Sequence, residues 1–549
     1  MKRYDKKLTV YGSDASARHS ITKSRLTPAG HLLRSPFDRQ TSAAFGMVRV
    51  APEHYSDKMH IPQPDDNSER PYDEVIVRIV DYAYDYEVTS EPALARAKMA
   101  LIDSFGVAIE SLALSKECEA LVKPLLPGAG SVAGGFKLPG TPYSMDVLQA
   151  AFNMGAMIRY LDHNDAFAGA EWGHPSDNLG AILVIADVLT RDALARGKEN
   201  EVVTMKQVLI GLIKAYEIQG CFQVKNAFNR VGLDHVILVK IASTAVVSWI
   251  MGLSREQARS AVSHAWVDGH PLRTFRQSPN TGPRKGWSAG DACMRAVHLA
   301  SVARAGQPGI KTPLTAARWG FYEVLNKGNV FELPRPFGTW VVENAIFKVL
   351  TAEGHGLTAV EATMVASQKL QERGLDPIKD IKSIHVRTQE AAMIIINKKG
   401  PLHNAADRDH CLRYMMAVVL LKNGAEVETE DYQNDSPWAT DPRVEALRSI
   451  ITMEEDVQFT KDYHNPEIRS VGCSIDFTLK DGTDFNTRLE FPLGHPARNE
   501  ESFPMVRKKA IRNLELKLPK AEVAQIMATL EQADFDSLPI SKFIDLFHQ

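Results

Sequence analysis

Between Tyr72 and Gly320 apolar residues recur every three or four positions, and that periodicity restricts the stretch to helices. Leu94, Ala97, Leu101, Phe105 and Ala108 make one apolar stripe along 91–112, and similar stripes run through 205–218 and 241–251. Strand-type alternation is scarce here, so residues 72–335 read as a large all-helical domain. After Pro334 and Pro336 the pattern changes. Residues 346–350 look like a short strand, and Thr358-Ala-Val-Glu361 looks like the capping-box start of a helix ending near Leu370. Ile384 and Val386 then alternate with polar neighbours. So do Cys473, Ile475, Phe477 and Leu479, followed by Asp481-Gly482 and a return through Phe485, Thr487, Leu489 and Phe491. That is a hairpin signal with a connection longer than two residues. Residues 336–491 therefore read as a smaller α+β lid domain. Helical periodicity resumes beyond Pro504, so residues 492–549 are expected to rejoin the helical domain. The expected class is mainly α.

A chain of 549 residues exceeds what one core usually serves. With 44% hydrophobic and 24% charged residues it is no disordered or collagen-like polymer. The net charge of −3 offers no match to nucleic acid or an anionic membrane, and no apolar run is long enough to span a bilayer. Five scattered cysteines without a CxxC argue against a disulfide framework, a cysteine-held iron–sulfur cluster and a structural zinc. Residues 1–50 carry ten Lys/Arg against three acids, with Arg18, Arg25, Arg34 and Arg39 spread among Ser and Thr. This resembles a mitochondrial transit peptide within a disordered leader. Residues 51–71, which include PQPDDNSERP, read as a linker.

Three polar clusters interrupt the helical background. In the first, Asp162-His-Asn-Asp165 precedes Glu171-Trp-Gly-His-Pro-Ser-Asp-Asn178. Pro175 forces His174 out of helical geometry, and Ser176 or Asp177 can cap the helix that follows, aiming free N–H groups at the His174 loop. Asp162, His163, Asp165 and His174 match no defensible metal pattern. The second cluster is Asn229-Arg-Val-Gly-Leu-Asp-His235, where the histidine is either a tuned acid/base or part of a helix start. The third places Arg273, Arg276, Arg284 and Lys285 in a Gly/Pro-rich loop running into a helix over 288–303. It is either a solvated loop or an anion pocket. No phosphate-loop spacing is present, so a small polycarboxylate fits that pocket better than a nucleotide. Together the clusters suggest proton removal beside a carboxylate, with fixed cations stabilising the resulting anion.

The strings AEWGHPSDN and NRVGLDHVILVK, with 162–165, 279–292, Lys398-Lys-Gly-Pro-Leu402 and Ala406-Asp-Arg-Asp-His-Cys411, resemble the MmgE/PrpD family, and within it the 2-methylcitrate dehydratases. The resemblance spans roughly residues 72–545. It implies a helical domain and a lid with the active site between them, in a homodimer. The implied reaction is cofactor-independent dehydration of 2-methylcitrate to 2-methyl-cis-aconitate, with no metal. Given the leader, the implied setting is the mitochondrial matrix and the methylcitrate cycle of propionate breakdown. Matched to the family's cis-aconitate decarboxylases, the site falls on Asp162, His174, His235, Lys285 and Lys348. A threonine and a lid tyrosine of that pattern fall on Ala166 and Ile396, removing two hydroxyls. The expected roles are His174 and His235 as acid/base pair, Asp162 orienting one of them, and Lys285, Lys348 and Arg284 on substrate carboxylates. Arg273, Arg276, Asn178 and Arg408 are further candidates for substrate binding. The alternatives are a related lyase or isomerase (cis-aconitate decarboxylase or citrate dehydratase), a metal-dependent hydratase, and a non-catalytic tricarboxylate-binding homologue.

Overall fold

A computed structural model describes residues 69–267, 269–277 and 279–548; the expected leader and nearly all of the expected linker lie outside them. Apolar side chains gather into two cores. The first is helical. The Val236–Ile250 helix is buried at every position from Val236 to Ser248, as expected of a helix apolar on all sides. Around it lie Val147–Arg159, Leu179–Ala195, Met205–Gln223 and Arg284–Arg304. Thr204 and Gln207 form a reciprocal capping box on Met205–Gln223, and Ser90 caps Glu91–Leu114. The stripe expected on Glu91–Leu114 is buried apart from Leu94. The helix is covered beyond that stripe by the later helix Asn499–Leu514, whose Val506, Ala510 and Leu514 belong to the same core.

The second core packs Leu357–Glu372 and Leu412–Leu421 on a four-stranded sheet. The strand order is Ile451–Glu455, Ile381–Thr388, Cys473–Leu479, Asp484–Leu489; the first pair is parallel and the others antiparallel. The expected hairpin is present, with Lys480–Thr483 between its arms.

Four local expectations are corrected. Residues 346–350 form no strand; they pair through an isolated bridge between Ala166 and Ile346 and a single backbone bond from Phe347 to the Gly494 carbonyl. Their apolar pattern arises because the segment runs between the two cores: Phe347 and Val349 enter the first, Ile346 and Leu350 the second. The helix at Thr358 begins at Leu357 with no side-chain cap, because the Thr358 hydroxyl donates to the Val471 carbonyl and Glu361 accepts from Arg498. The helix after His174 is preceded by a 3-10 turn, Pro175–Asn178, again without a side-chain cap. The helix expected over 288–303 starts at Arg284, so Arg284 and Lys285 lie in its first turn rather than in a loop.

That last helix sits close to Val147–Arg159. A Cβ on Gly290 would stand 2.3 Å from the Phe152 carbonyl oxygen, and one on Gly286 would stand 2.9 Å from the Tyr160 Cα. Only glycine permits that approach, which brings Lys285 alongside the loop carrying Asp162.

Candidate active site

The site lies where the two cores meet. Asp162 follows the Val147–Arg159 helix and adopts a left-handed conformation with φ of 63°, unusual for a non-glycine residue. Its buried carboxylate meets Arg159 Nη1 at 2.5 Å and Lys348 Nζ at 2.7 Å. Lys348 arrives there because the Ala166–Ile346 bridge anchors its segment; its ammonium also donates to the Asp162 carbonyl at 2.6 Å. Burial opposes ionisation of Asp162, yet the Arg159 and Lys348 charges outweigh it and hold the pKa well below the ordinary carboxylate value.

His174 is fixed at both nitrogens. Arg159 donates to Nε2 at 2.9 Å, so Nδ1 carries the hydrogen and donates to the Asp165 carbonyl at 2.7 Å. Asp165 is itself held by the Ser176 hydroxyl, the Ser176 N–H and the Tyr216 hydroxyl. His235 is different. It is buried at the start of Val236–Ile250, its ring centroid is 5.4 Å from that of His174, and neither of its nitrogens has a hydrogen-bond partner. Burial lowers the pKa of both imidazoles well below the usual histidine value, with Arg159 and Lys348 adding to it at His174 and Arg276 and Arg273 adding to it at His235. Both are neutral at pH 7.

A cavity of about 30 Å³ lies between these groups. That is about the space one water takes in the liquid, so a tricarboxylate enters only if the site opens. Asp162, His174, His235, Arg273 and Arg276 from the sequence-derived set line it. Lys285 and Lys348 stand one contact behind the wall. Lys348 is bound to Asp162, and Lys285 donates to Asp409 at 2.7 Å and lies 3.0 Å from His410 Nδ1. The cations on the cavity wall are therefore Arg159, Arg273 and Arg276 rather than the two lysines.

Three expected binding residues lie elsewhere. Arg284 is half-buried between the Phe275 and Trp287 rings. Arg408 donates to the Tyr432 carbonyl and to Asn434. Asn178 spends its amide on Pro175, Gln219 and Ser243, which makes it a brace for the His174 turn. Ile396 is buried in the second core, and its neighbour Ile395 reaches the cavity.

Arg159, Trp172, Gln277, Glu353, His355 and His410 complete the lining. Trp172 and His410 lie inside the strings singled out in the sequence. Arg159, Glu353 and His355 gave no local signal. Glu353 bonds His355 Nδ1 at 2.9 Å, and the Trp172 ring lies against that imidazole, with centroids 4.2 Å apart. Asp162, Glu353 and His410 come close enough to one another to share an ion. Arg159 and Lys348 pair with Oδ1 of the first and Lys285 lies beside Nδ1 of the third, and three positive charges this close oppose a divalent cation there. A second cavity, about 220 Å³, adjoins the first and shares Trp172, Arg273, Gln277, His355 and Ile395 with it.

Residues 77–334 match the MmgE/PrpD N-terminal domain and 351–532 the MmgE/PrpD C-terminal domain. The chain is 64% identical over 489 residues (89% of this chain, 98% of the relative) to the 2-methylcitrate dehydratase-like protein oryR of Aspergillus oryzae. It is 47% identical over 484 residues (88% and 91%) to the mitochondrial 2-methylcitrate dehydratase of Yarrowia lipolytica. To the alkylcitrate dehydratase phiI of a fungus it is 46% identical over 479 residues (87% and 94%).

Proposed function

The chain belongs to the MmgE/PrpD family, and on that premise we propose that it is a hydro-lyase that dehydrates 2-methylcitrate to 2-methyl-cis-aconitate. Relatives named 2-methylcitrate dehydratase match 87–88% of the chain. The observation that carries the chemistry is the unpartnered, buried and neutral His235 beside three arginines. In this reading Arg159, Arg273 and Arg276 take the substrate carboxylates, and Asp162 with its Lys348 partner holds Arg159 and His174 in place. A His235 nitrogen removes the proton from the carbon beside a carboxylate. The released electron pair forms the carbon–carbon double bond as the neighbouring carbon–oxygen bond breaks. The departing hydroxide takes a proton originating on the Lys285 ammonium, which sits with Asp409 and His410 in one hydrogen-bonded cluster, giving water and the unsaturated acid. His174, with both nitrogens committed, positions rather than transfers.

Purified protein given 2-methylcitrate should develop the absorbance of a conjugated double bond, at an undiminished rate with a chelator present. No absorbance change, or activity lost to the chelator and restored by a metal, refutes the reading. The same test on cis-aconitate and citrate separates the rival family reactions.

The reading places the enzyme in the mitochondrial matrix as a homodimer acting in propionate breakdown. Its support is the basic, acid-poor composition of residues 1–50 and the mitochondrial relative. Residues 1–68 fused to a fluorescent protein should carry it into the matrix, and light scattering should return twice the chain mass.

A further inference from the structure

Each dehydration takes a proton from Lys285 and leaves one on His235, so both groups must be reset before the next substrate. We propose that Lys285 is recharged from the side away from the substrate, through a third cavity of about 130 Å³. The inference rests on the dehydratase reading. Lys285 and Asp409 line this cavity, and the exposed Glu117, Pro283 and Asn434 form its rim, so it faces solvent. It has room for about four waters. Among the described residues it shares no lining residue with the 30 Å³ cavity at His235. The Lys285–Asp409–His410 cluster stands between the two. His410 belongs to the wall of the substrate cavity, where its Nε2 lies 4.0 Å from Asp162. Its Nδ1 is turned to the other side, 2.6 Å from Asp409 and 3.0 Å from Lys285 Nζ. Lys285 donates to both Asp409 oxygens at 2.7 Å, and the Asp409 side chain is 16% exposed. Burial opposes a charge on Asp409, yet Lys285 and His410 outweigh it and keep the carboxylate ionised. Burial also lowers the pKa of Lys285 against the pull of Asp409 and Asp162, which makes its ammonium a readier donor.

Dehydration leaves the Lys285 amine neutral. While product fills the substrate cavity, that side offers the amine no solvent. Hydronium or a buffer acid then gives a proton to the amine through the third cavity, and the conjugate base stays in solution. The proton on His235 leaves separately when the substrate cavity widens. One proton enters and one leaves per turnover, as a net loss of water requires.

The test fills the third cavity and leaves the cluster in place. Ala405 lies on the cavity wall. Ala405→Trp should lower kcat by about tenfold or more, because slow proton return then limits turnover. Its kcat/KM for 2-methylcitrate should stay unchanged, because recharging follows the chemistry; a displaced Lys285 would lower both. A second readout needs no turnover. Cyanate should carbamylate Lys285 in the full chain even with saturating tricarballylate, which lacks the leaving hydroxyl and occupies the substrate cavity. Ala405→Trp should abolish that labelling. Should this variant fail to fold, Glu117→Trp on the exposed rim should give the same two results. The route is overturned if Lys285 stays unlabelled in the unsubstituted protein, is labelled only without tricarballylate, or is labelled equally after filling. A filled variant with undiminished kcat, or with kcat and kcat/KM lowered together, overturns it too. The two readings fail separately. Labelling that obeys the filling, in a protein that dehydrates nothing, sinks the dehydratase and keeps the opening to Lys285. Dehydration of 2-methylcitrate with labelling indifferent to the filling sinks the route alone.

Discussion

His235 is neutral because burial outweighs the attraction of Asp234, and Arg276 and Arg273 push in the same direction as burial. A base of this kind stays competent as the solution turns acidic. The kcat/KM profile should therefore be flat from pH 8 to below about 6.5, the ordinary histidine value, and fall only beneath it. An acid limb centred above that value would assign the limiting group elsewhere. His235→Gln should lower kcat by roughly 10² to 10⁴ while moving the thermal midpoint by only a few degrees. Glu171 shows the opposite sign. Burial lifts its carboxyl to about 7 despite Arg273 and the Asn229 N–H, so the folded state holds that proton above the unfolded value of 4.5. Its contribution to stability is complete below 4.5 and is lost as pH rises through 7. Glu171→Gln, which keeps an acceptor for Asn229, should flatten the stability profile between those values in denaturant titrations.

Helix contacts decide where these side chains end up. Gly290 lies against the Phe152 carbonyl, and an added methyl has backbone on its far side rather than a flexible side chain. Gly290→Ala should cost about 1–3 kcal/mol in urea unfolding and should lower kcat as well, since the same shift withdraws Lys285 from His410. A stable variant with full activity would show that the two helices separate without disturbing the site. The 346–350 segment makes a related point. Its alternation is real, but the cause is a core on each side rather than sheet pairing. Likewise Thr358 had the spacing of a cap, and its hydroxyl found a better acceptor 113 positions away.

At the scale of the molecule the two cores are tied by the Asn499–Leu514 helix. Lys509 donates to the His163 and Lys348 carbonyls and pairs with Asp103 at 2.9 Å, so a residue near the end of the chain braces both site loops. Lys509→Met should destabilise by about 3–5 kcal/mol, because it leaves three buried acceptors without their donor. The 30 Å³ cavity must also widen for a substrate to enter. Tricarballylate should slow proteolytic cleavage within residues 390–411 at saturating concentration, as expected if binding closes the lid segment over the site. Unchanged cleavage would mean that this segment does not move with binding.

Helical periodicity, the hairpin and the identity of Asp162, His174 and His235 were all legible in the chain, because each is carried by local spacing or by a contiguous string. Charge pairing was not. Lys285 and Lys348 looked like free cations, yet they meet Asp409 and Asp162 across 124 and 186 positions, while the unremarkable Arg159 faces the cavity. A carboxylate binds whichever cation the packed backbone brings within 3 Å of it, and that distance is set by close helix approaches such as Gly290 on Phe152, which no run of neighbouring residues encodes.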